Sequence, residues 1–238
     1  MQKSLEFSPD PLKADPLKVL VSGGSSGIGK AIVKELKDSG YKVFRISRYK
    51  GEIVCDLRDE KVLEQKIKKF LSENDVDLLI NCAGIGEFKP HEEINFKKIC
   101  EIIDVNLKAP ILLTNLCLRS LKKTKGHIIN ISSIEALRHS KFSALYTATK
   151  SGLRDFSLSL FEEVRKSGVR VTSVNPDLVK TDFFKNLNFE PKDNKEYFIE
   201  AQELAKTILH IINSPSPITD LTIRPQKIGI IKKNLTQN

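Results

Sequence analysis

The chain contains no tryptophan, one methionine and only four cysteines in 238 residues. Cys55, Cys82, Cys100 and Cys117 show no C-x-x-C spacing and no neighbouring histidine cluster, so the sequence suggests neither a zinc site nor a disulfide framework. Buried free thiols are the expectation, and no metal site is read. No apolar run approaches membrane length, and the opening MQKSLEFSPDPLKADPLK lacks the apolar centre of a signal peptide. A cytoplasmic protein is therefore expected. Clustered charge is missing too. The 39 Lys and Arg exceed the 30 Asp and Glu to give a net charge of +9, yet they are spread along the helical stretches in short runs such as Lys68-Lys69 and Lys122-Lys123. Aromatic residues are not interleaved with them, so the pattern describes a solvated surface and argues against nucleic acid as a partner.

What is present is an alternation. Short apolar runs KVLVS (Lys18 to Ser22), KVFRI (Lys42 to Ile46), EIVC (Glu52 to Cys55), DLLIN (Asp77 to Asn81), HIINIS (His127 to Ser132) and RVTSV (Arg170 to Val174) have the character of buried parallel strands. Between them lie stretches of helical spacing, Ile28 to Ser39, Glu60 to Ser72, Phe96 to Lys123 and Ser143 to Ser167, several ending at glycines such as Gly40, Gly126 and Gly168. The pattern predicts an α/β fold, a doubly wound parallel sheet with helices on both faces, in one domain. Residues 1–17, with the repeat DPLKADPLK, are expected as an N-terminal arm, and 18–238 as a single dinucleotide-binding catalytic domain. DLTIR (Asp220 to Arg224) is expected as the last strand, and Thr181 to Glu200 as an irregular lid insertion.

In such folds ligands bind at the carboxyl ends of the strands. After the first strand comes VSGGSSGIGK, which matches a P-loop as far as Lys30 and also a dinucleotide-binding turn. A P-loop needs Ser or Thr after the lysine to hold Mg²⁺, and this chain has Ala31. The dinucleotide reading looks to the end of the second strand, where an acid would bind the ribose of NAD(H) and a cation the 2′-phosphate of NADP(H). Ser47 and Arg48 stand there, with Arg45 in reach, so NADP(H) is favoured over NAD(H). Cys82-Ala83-Gly84 are small enough to let a ribose approach the backbone, and Ser132 and Ser133 put hydroxyls at the same edge. Tyr146 and Lys150, four apart on a helix, share a face. A phenol exchanges protons poorly near neutral pH unless a cation favours its ionised form, and Lys150 is placed to be that cation.

Together these residues resemble the short-chain dehydrogenase/reductase family, in the family's order and across most of the chain. Its TGxxxGxG appears as SGGSSGIG, its NNAG as Asn81-Cys82-Ala83-Gly84, its acid as Asp56, its mid-helix asparagine as Asn106, and its serine and YxxxK as Ser133, Tyr146 and Lys150. The resemblance implies a Rossmann fold, carbonyl–alcohol interconversion on a small molecule, and a homodimer or homotetramer. It implies catalytic roles for Asn106, Ser133, Tyr146 and Lys150. Tyr146 exchanges the proton, Ser133 orients the carbonyl oxygen, Lys150 lowers the phenol pKa and holds the nicotinamide ribose, and Asn106 anchors a water leading to Lys150. It implies cofactor contacts by Gly23, Ser25, Ser26, Gly27, Ile28 and Gly29 in the turn, and by Arg48, Asp56 and Leu57 beside the adenosine. Asn81, Ala83, Gly84, Tyr146, Lys150, Pro176 and Thr181 complete that set.

Two departures stand out. The family's Pro-Gly is Pro176-Asp177 here, so a carboxylate either faces nicotinamide and substrate or caps the following turn. The last strand ends in Arg224-Pro225-Gln226 instead of a glycine pair. Of the residues between Ser133 and Tyr146, Arg138 is either a pocket cation suited to a carboxylate or phosphate or, more in keeping with its type, a solvated side chain. His139 is expected at the surface. Phe183, Phe184 and Phe189 either shield an apolar substrate or pack the lid down. A catalytically silent NADP-binding regulator or scaffold is the alternative function, and it would be expected to lose one of Ser133, Tyr146 and Lys150.

Overall fold

Apolar runs that must be buried on both faces dictate the architecture. In the computed structural model, which describes residues 15–233, the chain runs β1 (Lys18–Ser22), α1 (Gly27–Asp38), β2 (Lys42–Ser47), β3 (Ile53–Val54), α2 (Glu60–Glu73) and β4 (Leu78–Asn81). It continues through α3 (Phe96–Ile103), α4 (Ala109–Thr124), β5 (His127–Ile131), α5 (Ala144–Val164) and β6 (Arg170–Pro176). β7 (Val179–Lys180), β8 (Phe189–Pro191), β9 (Ile199–Glu200), α6 (Ala201–Asn213), β10 (Asp220–Ile223) and β11 (Ile230–Lys232) follow. Most of the expected N-terminal arm, residues 1–14, lies outside the described residues.

Seven strands form one parallel sheet in the order β10-β6-β5-β4-β1-β2-β3. This is a Rossmann-type doubly wound fold. Side chains alternate across the pleat, so Val19 and Val21 of β1 join Ile32, Val33 and Leu36 of α1 and Leu204, Ile208 and Ile211 of α6 on one face. Leu20 of the same strand joins Leu63 and Ile67 of α2, Leu113 and Leu121 of α4, and Leu160 and Val164 of α5 on the other. The order also places β1 beside β4, opening a crevice where the chain reverses direction across the sheet.

Four expectations are corrected. The predicted helix from Phe96 to Lys123 is broken by a π-helical turn, Asp104–Lys108. Pro110 has no N–H to give the carbonyl four residues back, that of Asn106, and Ala109 donates to Asp104 in the wider pattern instead. The same helix ends with Lys125, not Gly126, in the left-handed conformation, at φ 52°. Gly126 serves close packing, because an added Cβ would lie 2.5 Å from the Asp77 carbonyl oxygen. Finally, the lid is not irregular throughout: β7 pairs with β9, and β8 pairs antiparallel with β11 near the C-terminus, Phe189 opposite Lys232. Among the thiols, Cys55 and Cys117 are buried, Cys82 is partly covered and Cys100 is exposed, so burial holds for only some of them.

Candidate active site

A cleft of about 1190 Å³ opens over the carboxyl ends of the strands. At one end is the glycine-rich turn. Gly23 sits at φ 73°, and a Cβ there would lie 2.7 Å from the Ala83 backbone. Gly27, at φ 49°, lies against Thr181, where an added Cβ would meet the threonine Cβ at 3.4 Å. Ser26 precedes α1 without capping it through its side chain, which leaves the first amides of the helix facing the cleft with their partial positive charge.

Beside the turn, Arg48 lines the cleft and makes no ion pair among the described residues, its guanidinium lying 5.3 Å from the Tyr49 ring centre. Arg45, expected within reach, is not available. Its Nε and Nη2 donate to the Glu52 carboxylate at 3.0 and 3.2 Å, and its amide donates to the same group at 2.8 Å. Burial works against ionisation of Glu52, but these bonds hold its carboxyl down at about 2. Asp56 accepts from Arg58 Nε at 3.0 Å and Nη2 at 2.6 Å, which keeps it ionised at the cleft wall.

At the other end, Ser133, Tyr146 and Lys150 come together. The Ser133 hydroxyl stands beside the Tyr146 phenol, close enough to work against the rise of its pKa, and accepts from the Glu135 amide at 3.2 Å. Ser132 is engaged elsewhere, donating to the Lys150 carbonyl at 2.8 Å, which favours Ser133 as the hydroxyl that faces the cleft beside the tyrosine. Lys150 Nζ donates to the Ile131 carbonyl at 2.8 Å and lies 5.8 Å from the Tyr146 ring centre. Burial raises the phenol pKa above its ordinary value, with the Ser133 hydroxyl offsetting part of the rise, and it pushes Lys150 down to about 8. The expected lowering of the phenol by Lys150 is thus not what this geometry gives. Desolvation is the largest influence on the phenol, and Lys150 is not among the groups that shift it.

Not every expected residue reaches the cleft. Asn81 is 1% exposed, and its amide donates to Asn130 at 2.8 Å and to Thr114 of α4 at 3.5 Å. Strand parity turns it to the α4 face, so its side chain is set apart from the cleft. Asn106, in the π turn, is fully buried, its amide donating to the Ile85 carbonyl at 2.8 Å and its oxygen accepting the Ile85 amide at 2.9 Å. It fastens the loop after β4 beneath the site. The remaining expected positions, in the turn, around Asp56 and Leu57, at Ala83, Gly84, Pro176 and Thr181, line the cleft.

A family model described as short chain dehydrogenase matches residues 17–192. The chain belongs to the short-chain dehydrogenase family. An uncharacterized oxidoreductase of Staphylococcus saprophyticus is 30% identical over 228 residues, covering 87% of this chain and 96% of its own. One from Staphylococcus epidermidis is 28% identical over 224 residues, with the same coverage. Among solved structures, an alcohol dehydrogenase from the archaeon Thermococcus sibiricus complexed with 5-hydroxy-NADP matches with a TM-score of 0.80 at 24% identity, covering 90% of this chain and 99% of that one. A 4-hydroxyisoleucine dehydrogenase complexed with NADH matches with a TM-score of 0.76 at 24% identity, covering 88% and 97%. These likenesses carry the fold.

Sequence reasoning missed an ion network in this short-chain dehydrogenase. Asp177, its side chain 1% exposed, accepts from Arg138 at 3.3 and 3.4 Å, from Arg224 at 3.1 Å, and from the Leu178 amide at 3.1 Å. Asp177 borders the cleft, and its carboxylate also accepts from the next amide of its own turn. Arg138 is not merely solvated, since it also donates to buried Glu135 at 2.8 Å. His139 is exposed, as expected.

The depressed Lys150 pKa has a consequence for stability. Between about 8 in the folded chain and 10.5 in the unfolded one, the unfolded chain binds more protons, so stability rises with pH across that window. Below it both states are charged and the burial penalty is felt in full. Above the ordinary tyrosine value of 10.0 the raised Tyr146 pKa acts in the opposite sense, because the unfolded chain then loses a proton that the folded chain keeps. Urea unfolding between the two thresholds should show wild type gaining stability with pH, toward a limit of about 3 kcal/mol. Lys150→Met should flatten that rise. An unchanged slope in the variant would assign the dependence to other groups.

Proposed function

We propose that the chain is an NADP(H)-dependent oxidoreductase that interconverts a carbonyl and an alcohol by hydride transfer, with Tyr146 as general acid/base. The observation that carries this reading is the meeting of Ser133, Tyr146 and Lys150, the last one helical turn on, in the same cleft as the glycine turn and the α1 N-terminus. The residues fit the cofactor. Gly23, Gly27 and Gly29 leave room for a diphosphate against the helix amides, and Arg48 is the cation for a 2′-phosphate. Ser25, Ser26, Ile28, Asp56, Leu57, Ala83, Gly84, Pro176 and Thr181 form the walls, and Lys150 is the donor for a ribose hydroxyl. When bound, the nicotinamide supplies or takes the hydride.

The chain's own residues manage the proton and the geometry. Ser133 donates to the substrate oxygen and fixes its position beside the phenol. Tyr146, held protonated by burial, gives its proton to that oxygen in the reducing direction, the proton leaves on the alcohol, and the phenolate takes a new one from solvent by way of Lys150. The partners in this reading are small carbonyls or alcohols, the assembly is a homodimer or homotetramer, and the compartment is the cytoplasm. Titration with NADPH and NADH, followed by nicotinamide fluorescence, tests the cofactor. Tighter binding of NADPH, and consumption of it with a carbonyl panel, is expected. Binding of neither nucleotide overturns the reading.

Arg48 gives a separable prediction. Arg48→Ala should raise the NADPH KM roughly 10- to 100-fold, the worth of one charge-assisted phosphate contact, and leave the NADH KM nearly unchanged. Equal losses for both nucleotides would place the 2′-phosphate elsewhere.

A further inference from the structure

We infer that the substrate carries an aromatic ring beside its carbonyl and no carboxylate: the site is built for an aryl ketone. This rests on the oxidoreductase reading above and goes beyond it. Around the phenol the aromatic side chains close a circuit. Tyr146 meets Phe88 at 5.2 Å between ring centres, Phe88 meets Phe189 at 5.2 Å, and Phe189 meets Phe184 at 5.7 Å. Phe184 meets Phe183 at 5.4 Å, and Phe183 returns to Tyr146 at 6.1 Å. All five border the same cleft. They come from the loop after β4, from α5 and from the lid, so the circuit exists only in the folded chain.

The backbone is fitted to it. An added Cβ on Gly86 would stand 2.8 Å from both the Phe183 and the Phe88 rings, so glycine is what allows them to approach. The lid half of the circuit is clamped by the C-terminal segment. Lys233 donates from its amide to the Asn188 carbonyl at 2.7 Å and from Nζ to the Phe184 carbonyl at 2.6 Å. Phe184 and Phe189, in edge contact with each other, are thus held by the C-terminal segment.

Charge at this end points the same way. Arg138, the cation that would suit an acidic substrate, is already shared between Glu135 and Asp177, and Arg224 is also bound to Asp177. A substrate carboxylate placed here would face two buried acids whose cations are spoken for. A flat apolar ring meets edges and faces of other rings, an arrangement aromatic pairs favour.

The test compares NADPH-dependent reduction of acetophenone, acetone and phenylglyoxylate by the intact chain. Acetone lacks the ring, and phenylglyoxylate adds a carboxylate to it. Acetophenone is expected to exceed each of the others at least about tenfold in kcat/KM. Phe189→Ala should lower the acetophenone-to-acetone ratio by about the same factor. A preference for acetone or phenylglyoxylate, or a ratio unmoved by Phe189→Ala, overturns the inference while leaving the oxidoreductase reading intact. Calorimetric binding of methylphenylcarbinol and mandelate to the chain with NADP⁺ separates the two readings. Selective binding of the carbinol with no turnover of any substrate supports the aromatic site and overturns the oxidoreductase reading. Tighter binding of mandelate overturns the aromatic site.

Discussion

Tyr146→Phe is expected to lower carbonyl reduction by at least about 100-fold and to leave NADPH affinity within about twofold of wild type, since general acid catalysis contributes on that scale. The substitution removes one oxygen and keeps the ring. Contacts with Phe88 and Phe183 survive, so the aromatic surroundings stay packed, and the substitution leaves the glycine turn and Arg48 unchanged. What is lost is the proton donor beside Ser133. Because burial raises the phenol pKa, the acid form persists through neutral pH, so reduction should show no fall near neutrality from loss of the tyrosine proton. The reverse reaction needs the ionised phenol and should accelerate as pH rises. Single-turnover loss of NADPH absorbance, with calorimetric affinity measured on the same samples, checks both parts. Residual activity within tenfold of wild type would remove Tyr146 from its assigned role.

How much of this was legible in the sequence depended on the range of the determining contact. Strands β1, β4 and β5 announce themselves because burial on both faces demands unbroken apolar residues, a requirement local to each run. The positions of Ser133, Tyr146 and Lys150 follow from one strand end and one helix face. The direction of the Asn81 side chain, away from the cleft, could also be read from the pattern. Leu78 and Ile80 face α1 and α6, Leu79 faces α2 and α4, and the next residue by parity faces α4 as well. Arg45 and Arg48 are indistinguishable by type; only the fold brings Glu52 onto the first and leaves the second at the cleft. Asp177, Arg138 and Arg224 come from three separate segments, and no periodicity relates them. The helix break was readable in part, since Pro110 forbids one bond, but the slip to a π turn also needs Asn106 drawn toward Ile85.

Gly29→Ala should weaken NADPH binding by at least about tenfold, a larger loss than its added methyl suggests, because the methyl meets backbone rather than side chain. An ideal Cβ at Gly29 would overlap the Gly23 carbonyl oxygen, lie 2.8 Å from the Gly23 carbonyl carbon and 3.1 Å from the Gly24 Cα. None of these atoms is the end of a flexible chain. The turn can relieve the overlap only by moving Gly23 away from α1, and Gly23 is itself confined by Ala83 on the other side. The amides that face the cleft would then separate from the helix terminus they extend. Gly40→Ala supplies the comparison, since Gly40 has φ 85° and nothing within 4 Å of an added Cβ. It should cost about 1 kcal/mol of stability through backbone strain alone and leave nucleotide affinity unchanged. Thermal unfolding of both variants, with and without NADPH, distinguishes the effects. Gly40→Ala should keep the full NADPH-dependent rise in Tm, and Gly29→Ala should lose most of it. If Gly29→Ala retains that rise, the turn yields more easily than its backbone contacts allow, and the diphosphate does not rest against it.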